Sequence, residues 1–361
     1  MSSATGLRDR AVDAGSPSQP PADVRAASSA WPGAAWCAAA LGLVAVAGVA
    51  SIAVGARGVG LGEIIAGIQG GTATIGEAAV AARVPRTVLA LVVGAALGLA
   101  GATLQGVTRN PLADPGILGV NSGAALAVVV GIAFAGLASP GAYVWVAIAG
   151  AGATAVFVYA VGSLGPRGSR GASPLRLALA GAATAAACTS LTTAVLLPRI
   201  EVMNQYRFWV IGGVGGADLG RLATVAPFLV VGALMCLASW RGLDALALGD
   251  DAAAALGRNV AATRALCWAG AVVLCGAATA VAGPLAFVGL VVPHIARLLA
   301  GHGHQWLLPL TMLLGAALLT LADVAGRVVA PPTEVDVGIM TALLGGPVFL
   351  LLVRRTTVAG L

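Results

Sequence analysis

The motif Arg83-Val84-Pro85-Arg86 contains two arginines that would share one face of a helix. Residues three apart lie on the same side of a helix, so the two guanidinium groups point in one direction. Such a pair suits docking of an acidic partner. It equally suits anchoring at lipid headgroups, because long cationic side chains reach from an apolar segment to the membrane surface. The residues alone leave both interpretations open.

A second motif, Asn110-Pro111-Leu112-Ala113-Asp114-Pro115-Gly116, has the composition of a stiff connection. Each proline biases the residue before it towards an extended conformation. Asp114 followed by Pro115 fits an N-cap and a first-turn proline, so we expect the next helix to begin there. An ordinary well-formed turn would need the same residues.

The third candidate lies in the polar loop of about residues 240–263. Asp251 is followed by alanines and by Gly257, which predicts a short helix with an acidic start. Such a helix would lie at the membrane surface against a soluble partner. Alanine-rich helices are common, so the pattern alone has low specificity.

The composition places these motifs in an all-α, polytopic membrane protein. Of 361 residues, 59% are hydrophobic and 9% are charged, and the mean hydropathy is +0.96, whereas soluble domains carry about 25% charged residues. The 51 glycines suit close helix packing in lipid. The basic residues form no stripe with interleaved aromatics, so no nucleic-acid partner is expected. The five cysteines lack metal-ligand spacing, and neither a metal nor a cofactor is predicted.

Two regions differ sharply in character. Residues 1–33 are rich in Ser, Pro, Ala and charge, which predicts a disordered polar tail. Residues 34–355 form the predicted membrane domain of about ten spans, since a span needs about 20 apolar residues. The predicted spans are 34–55, 86–107, 116–136, 142–164, 175–197, 219–239, 264–283, 285–300, 306–329 and 337–353.

The arginines predict the orientation of these spans. With both termini in the cytoplasm, thirteen of the 20 basic residues lie inside and seven outside, as the positive-inside rule favours. Arg83 and Arg86 then lie on the disfavoured outer side, at the predicted start of the second span, where cations oppose the helix dipole. The unfavourable side of the membrane and the unfavourable end of the helix dipole are two small energetic costs at one place, and they suggest that the arginine pair has a function.

Over residues 83 to 355 the sequence resembles the FecCD family of ABC-importer permeases, which includes iron-siderophore, haem and vitamin B12 permeases. The resemblance rests on several long motifs in the same order. They are RVPRT at 83–87, GATLQGVTRNPLADPGILGVNSGAAL at 101–126, WVIGG at 209–213, LALGDDAAAALG at 246–257, AGPLAFVGLVVPHIARLLAG at 282–301, LADVAGRV at 321–328 and VGIMTALLGGPVFLLLVRR at 337–355.

The resemblance implies roles for particular residues. Three outward arginines would dock an extracytoplasmic substrate-binding protein, namely Arg83, Arg86 and Arg327. The segment that would seat on a cytoplasmic ATPase contains Asp250, Asp251, Ala252, Ala253, Leu256 and Gly257. Asp251 stands where the family commonly has Glu, so the charge is kept. Asn110 and Leu112 would help to close the cytoplasmic gate.

The resemblance also implies partners and a mechanism. Two permease subunits, identical or related, would pair in the bacterial inner membrane with two ATPases. No GxxxxGK[ST] motif occurs in the chain, so ATP hydrolysis is expected in a separate subunit and this chain is not expected to be an enzyme. The expected cargo is a metal chelate. A ferric siderophore is favoured because that branch of the family is the most populous, and cobalamin and haem are alternatives within the family.

Two other transport classes remain to be weighed. An ion-coupled secondary transporter would bury carboxylates near mid-membrane, and only Asp323 approaches that position in the predicted spans. A passive channel would need polar residues along one face of several helices, a pattern that the sequence does not show.

Overall fold

The computed structural model describes residues 32–55, 57–114, 116, 119–137, 140–164, 174–331 and 333–358, and their regular structure is helical. The all-α prediction is confirmed for these residues. Residues 1–31 of the predicted tail, which spans 1–33, lie outside the described residues. The helices are α1 (Gly33–Ala53), α2 (Leu61–Ile68), α3 (Ile75–Thr108), α4 (Val120–Ala135), α5 (Pro140–Ser163), α6 (Pro174–Leu196), α7 (Ile200–Val210), α8 (Leu219–Ala238), α9 (Trp240–Ala247), α10 (Asp250–Ala255), α11 (Val260–Ala282), α12 (Val288–Ala300), α13 (His304–Val329) and α14 (Val337–Val358).

Helix length and hydropathy support about ten membrane crossings. Seven described helices are long and apolar enough to span a bilayer: α1, α3, α5, α6, α8, α11 and α13. Three shorter apolar segments lie in α4, α12 and α14. The predicted interruption at Gly283-Pro284 is confirmed, because α11 ends at Ala282 and α12 begins at Val288.

Two predicted helix starts were wrong. Helix α3 begins at Ile75, eleven residues before the predicted span, because Thr74 accepts a bond from the Glu77 amide and Glu77 reaches back in a capping box. Arg83 and Arg86 therefore lie inside a helix rather than opposing the dipole at its start. Helix α4 begins at Val120, so Asp114 is not its N-cap.

The centre of the bundle consists of α3, α11 and α13, whose spans are 78%, 72% and 61% buried, whereas the span of α1 is only 17% buried. Helices α3 and α13 cross with their backbones in contact. A Cβ atom added at Gly94 would lie 2.3 Å from the Gly315 carbonyl oxygen, and one at Gly98 would lie 2.3 Å from that of Thr311. Small residues permit this approach, as is usual where lipid gives helices no hydrophobic drive to associate.

The long helices set two ends of the bundle apart. The end of α1, the first part of α3 and the end of α13 meet around Arg83, Arg86 and Arg327, and we call this the arginine end. The other end carries α9 and α10, to which the end of α3 is tied through Arg109. We call it the α10 end.

Candidate docking, coupling and gate sites

The arginine end is built around the buried carboxylate of Asp323, whose side chain is 1% exposed. Arg86 on α3 donates to it from Nε at 3.0 and 3.1 Å and from Nη2 at 2.8 Å. Arg327, one helical turn further along α13, approaches Oδ2 of the same carboxylate at 3.1 Å through Nη2. One acid thus joins two guanidinium groups and ties α3 to α13 in an apolar setting, where an unpaired charge would be costly.

Arg327 and Arg83 also satisfy the open end of α1. The last carbonyls of a helix have no partner within the helix. Arg327 Nη1 donates to Ser51 O at 2.8 Å and to Val54 O at 3.1 Å, and Nη2 donates to Ser51 Oγ at 2.7 Å. Arg83 donates to Ile52 O at 3.2 Å and to two further carbonyls nearby. Both arginines are buried, at 8% exposure for Arg83 and 1% for Arg327.

The solvent-facing part of this cluster is the pair formed by Arg86 and Glu334. Nη1 of Arg86 donates to Glu334 Oε2 at 2.6 Å, and the Glu334 side chain is 42% exposed. Glu334 belongs to the connection between α13 and α14. The structure therefore brings all three predicted docking arginines together. Of these arginines, only Arg86 has an ion-pair partner at the surface among the described residues.

The α10 end contains the predicted coupling segment. Helix α10, Asp250–Ala255, confirms the predicted short helix with an acidic start. Gly249 before it and Gly257 after it have positive φ angles of 111° and 75°, which glycine adopts without steric cost. Ala253 is fully buried, and exposed apolar side chains flank the helix at Leu248 and Leu256.

Asp250 fixes this segment to two long helices. Its Oδ1 accepts from Arg109, the C-cap of α3, and from Arg264 on α11 at 2.9 Å. Asp251 and Ala252 lie next to it, with Asp251 exposed to solvent. Asp250 therefore links α10 to the ends of α3 and α11.

The predicted gate residues follow Arg109 at once. Asn110 Oδ1 accepts from the Leu112 amide at 2.9 Å, closing a tight turn of the type that Asn favours, and the Leu112 side chain is 43% exposed. Asp114 Oδ1 accepts from the Gly116 amide at 2.7 Å. Burial raises the pKa of Asp114 to about 6, although the Gly116 bond acts in the opposite direction. The structure does not bring this loop to the arginine end, so docking and gate candidates lie at opposite ends.

The family of this chain follows from a comparison with known protein families. The model of the FecCD transport family matches residues 43–355, which is most of the chain. The chain belongs to the FecCD transport family.

Several FecCD relatives are similar over most of their own length. The ferric enterobactin transport system permease protein FepD of Escherichia coli K12 is 47% identical over 77% of this chain and 82% of its own. The iron(3+)-hydroxamate import system permease protein FhuB of Bacillus subtilis 168 is 42% identical over 76% of this chain and 70% of its own. The hemin transport system permease protein HmuU of Yersinia pestis is 37% identical over 76% and 82%.

A solved structure shares the fold. It is described as a metal-chelate type ABC transporter in an inward-facing conformation, and it matches with a TM-score of 0.76 and 29% identity. The match covers 90% of this chain and 99% of the solved chain.

Sequence reasoning missed the acids that organise the arginine end of this FecCD chain. From the sequence, Asp323 stands out only as a carboxylate near mid-membrane, and Glu334 does not stand out. Their partner Arg86 is 237 and 248 residues away in sequence. The signal that was available is general: a charged residue inside an apolar span requires a partner, and usually an opposite charge.

At the α10 end the structure adds a contact that no motif indicated. Asp244 Oδ1 accepts from the His304 amide at 3.0 Å and lies 2.7 Å from His304 Nδ1. Asp244 thereby caps the first turn of α13 from α9. This bond connects a third long helix to the region around α10.

Proposed function

We propose that this chain is the membrane-spanning subunit of an ATP-driven importer that carries a ferric siderophore into the cytoplasm. Family membership and the 47% identity to a ferric enterobactin permease carry the proposal. The fold is consistent with it, because a multi-pass bundle with a short surface helix at one end suits a permease driven from outside itself. As FecCD members are permeases, ATP would be bound and hydrolysed by a partner subunit.

The orientation follows from the same proposal. The arginine end would face outwards, towards the binding protein, and the α10 end would face the cytoplasm, with both termini inside. The arginines on the two sides favour this arrangement. Charge at an outer rim mainly steers and registers a docking partner rather than supplying most of the affinity. Arg83 and Arg327 would support this surface from within, and Arg86 would meet the partner.

Coupling would proceed through Asp250. The ATPase would contact α10 through the surface formed by Leu248, Asp251 and Leu256. Movement of α10 would pull on Arg109, which directly precedes the gate residues Asn110 and Leu112. The ion pair between Asp250 and Arg109 would then connect the ATPase contact to the gate loop. Two permease subunits would enclose the pathway between them.

A haem cargo is the second candidate, and the 37% identity to a hemin permease favours it. An ion-coupled mechanism finds less support in the structure. Asp323 is the buried carboxylate that such a mechanism would use, yet both of its oxygens are committed to Arg86 and Arg327. A coupling acid has to bind and release its ion, whereas this one is held by two permanent cations.

Uptake in proteoliposomes tests the function directly. The chain is reconstituted with its ATPase and binding protein, and ferric catecholates, ferric hydroxamates, ferric citrate, haem and cobalamin are supplied in turn. ATP-dependent accumulation of a ferric siderophore is expected. Accumulation of haem or cobalamin alone would change the cargo but keep the mechanism. Uptake driven by an ion gradient without the ATPase would overturn the proposal.

A further inference from the structure

The three docking arginines are already occupied within the chain. Arg83 donates to the carbonyls of Ile52, Ala53 and Arg57. Arg327 donates to the Ser51 and Val54 carbonyls and to Ser51 Oγ, and it pairs with Asp323. Arg86 uses Nε and Nη2 on Asp323 and Nη1 on Glu334. Each of the three guanidinium groups therefore already has acceptors within the chain, and a partner's carboxylate that binds Nη1 of Arg86 would compete with Glu334.

The bond between Arg86 and Glu334 can be exchanged at low cost. Releasing Asp323 would leave a fully buried carboxylate unpaired, and releasing the α1 carbonyls would leave backbone acceptors unsatisfied in an apolar region. Glu334 is different, because its side chain is 42% exposed and would pass into water when released. An ion pair at such a site contributes little to stability, since water competes for both partners.

A cavity lies near Arg86, and Gly215 belongs to its border although Arg86 itself does not line it. This cavity of about 390 Å³ is bordered by the glycines of the connection between α7 and α8, with Trp209 and Gln205 of α7. Gly215 belongs to this border, and a Cβ atom there would lie 3.7 Å from Nη1 of Arg86. The charged residues that line the cavity, Arg221 and Asp336, have opposite sign.

We propose that docking occurs by exchange: an acidic side chain of the substrate-binding protein replaces Glu334 on Nη1 of Arg86. This inference rests on the proposed function, because it takes the arginine end to be the docking surface. Glu334 is then an internal stand-in for the partner's acid. It keeps Arg86 paired between transport cycles, and its release leaves Nη1 of Arg86 available to the partner while Asp323 still holds the rest of the guanidinium.

The substitution Glu334→Gln tests the exchange, because it removes the competing charge and keeps the side chain's size. The full importer is placed in lipid nanodiscs, and its affinity for the binding protein that supports uptake is measured at low salt and at 0.5 M salt. We expect binding about two- to fivefold tighter at low salt, the range that corresponds to one exposed ion pair. The difference should shrink at high salt, where exposed charges are screened.

Matched variants separate competition from a general change of charge. Glu201→Gln removes an exposed acid on α7 and should change the affinity less than Glu334→Gln does. Glu334→Asp keeps the charge on a shorter side chain and should stay close to the wild type. Weaker binding by Glu334→Gln would mean that Glu334 itself contacts the partner, and unchanged binding would mean that Arg86 is not used by exchange. Either result overturns the inference.

The proposed function can fail independently. If the wild-type importer neither binds a substrate-binding protein nor accumulates any chelate with ATP, the function is wrong and the exchange has no partner. If uptake and binding are normal but Glu334→Gln is not tighter than the wild type, only the exchange is refuted.

Discussion

Replacing Asp323 by asparagine should destabilise the fold more than any other single loss of charge at the arginine end. The change keeps the shape of the side chain but removes the negative charge that Arg86 and Arg327 share. It also turns one acceptor into an NH2 group that faces guanidinium donors. Arg86 would keep Glu334, whereas Arg327, at 1% exposure, would keep only neutral acceptors.

The magnitude follows from this geometry. Removing one partner of a buried ion pair typically costs about 3–5 kcal/mol, because the remaining charge stays out of water. We expect a loss in that range for Asp323→Asn. Glu334→Gln, which breaks the exposed pair of the same cluster, should cost about 0–1 kcal/mol. Each variant removes the charge of one carboxylate that pairs with Arg86. The difference between their losses therefore measures the effect of burying that carboxylate.

The assay is equilibrium unfolding of the purified chain in mixed micelles, followed by circular dichroism and compared among wild type, Asp323→Asn and Glu334→Gln. A loss below about 1 kcal/mol for Asp323→Asn would refute the reasoning, as would equal losses for both variants. Either result would show that Arg327 reaches water or another acid when Asp323 is neutralised.

Three further predictions concern the coupling segment, the helix crossing and the gate loop. Asp250→Asn should reduce chelate uptake per ATP hydrolysed several-fold in proteoliposomes, since α10 loses its hold on Arg109, and an unchanged ratio would contradict this role. Gly94→Val should lower the melting temperature or prevent folding, because its side chain meets the α13 backbone, whereas Gly42→Val, at a position with open space around it, should be tolerated. The pKa of Asp114 is raised to about 6 in the folded state, so between its ordinary value and 6 the folded protein holds a proton that the unfolded chain has released. Stability should therefore fall as the pH rises through this window. Asp114→Asn should flatten that slope, and a slope equal to the wild type's would count against the raised pKa of Asp114.

Much of the fold could be predicted from local signals. Apolar length and the Gly283-Pro284 interruption were sufficient to locate the spans. The extent of α3 was missed because its first eleven residues contain Glu77, Arg83 and Arg86, which lower the local hydropathy. In the folded chain, partners from other helices offset the cost of burying these arginines. A hydropathy pattern read along the sequence does not reveal such partners. The short helices α2 and α7 were missed for a related reason, since each is too short to resemble a span.

The candidate sites were predicted unevenly. The α10 segment was located correctly because its acidic start, alanines and terminal glycine are local features. The surroundings of Arg86 were not predictable in this way. They depend on acids more than 230 residues away, and a single sequence does not tell which distant carboxylate faces a given arginine. Two sets of roles stay predictions. They are the docking role of Arg83, Arg86 and Arg327 and the gate role of Asn110 and Leu112.

The capping of α1 by Arg327 has a consequence for biosynthesis. Helix α1 enters the membrane early, with Ser51 and its last carbonyls lacking their final donor. That donor lies 276 residues later in the chain and is inserted only with α13. The earliest span is thus completed by one of the last, and chains that stop before residue 327 would leave unsatisfied carbonyls at the arginine end. Membrane proteases that sense such defects would have a means of telling unfinished chains from finished ones.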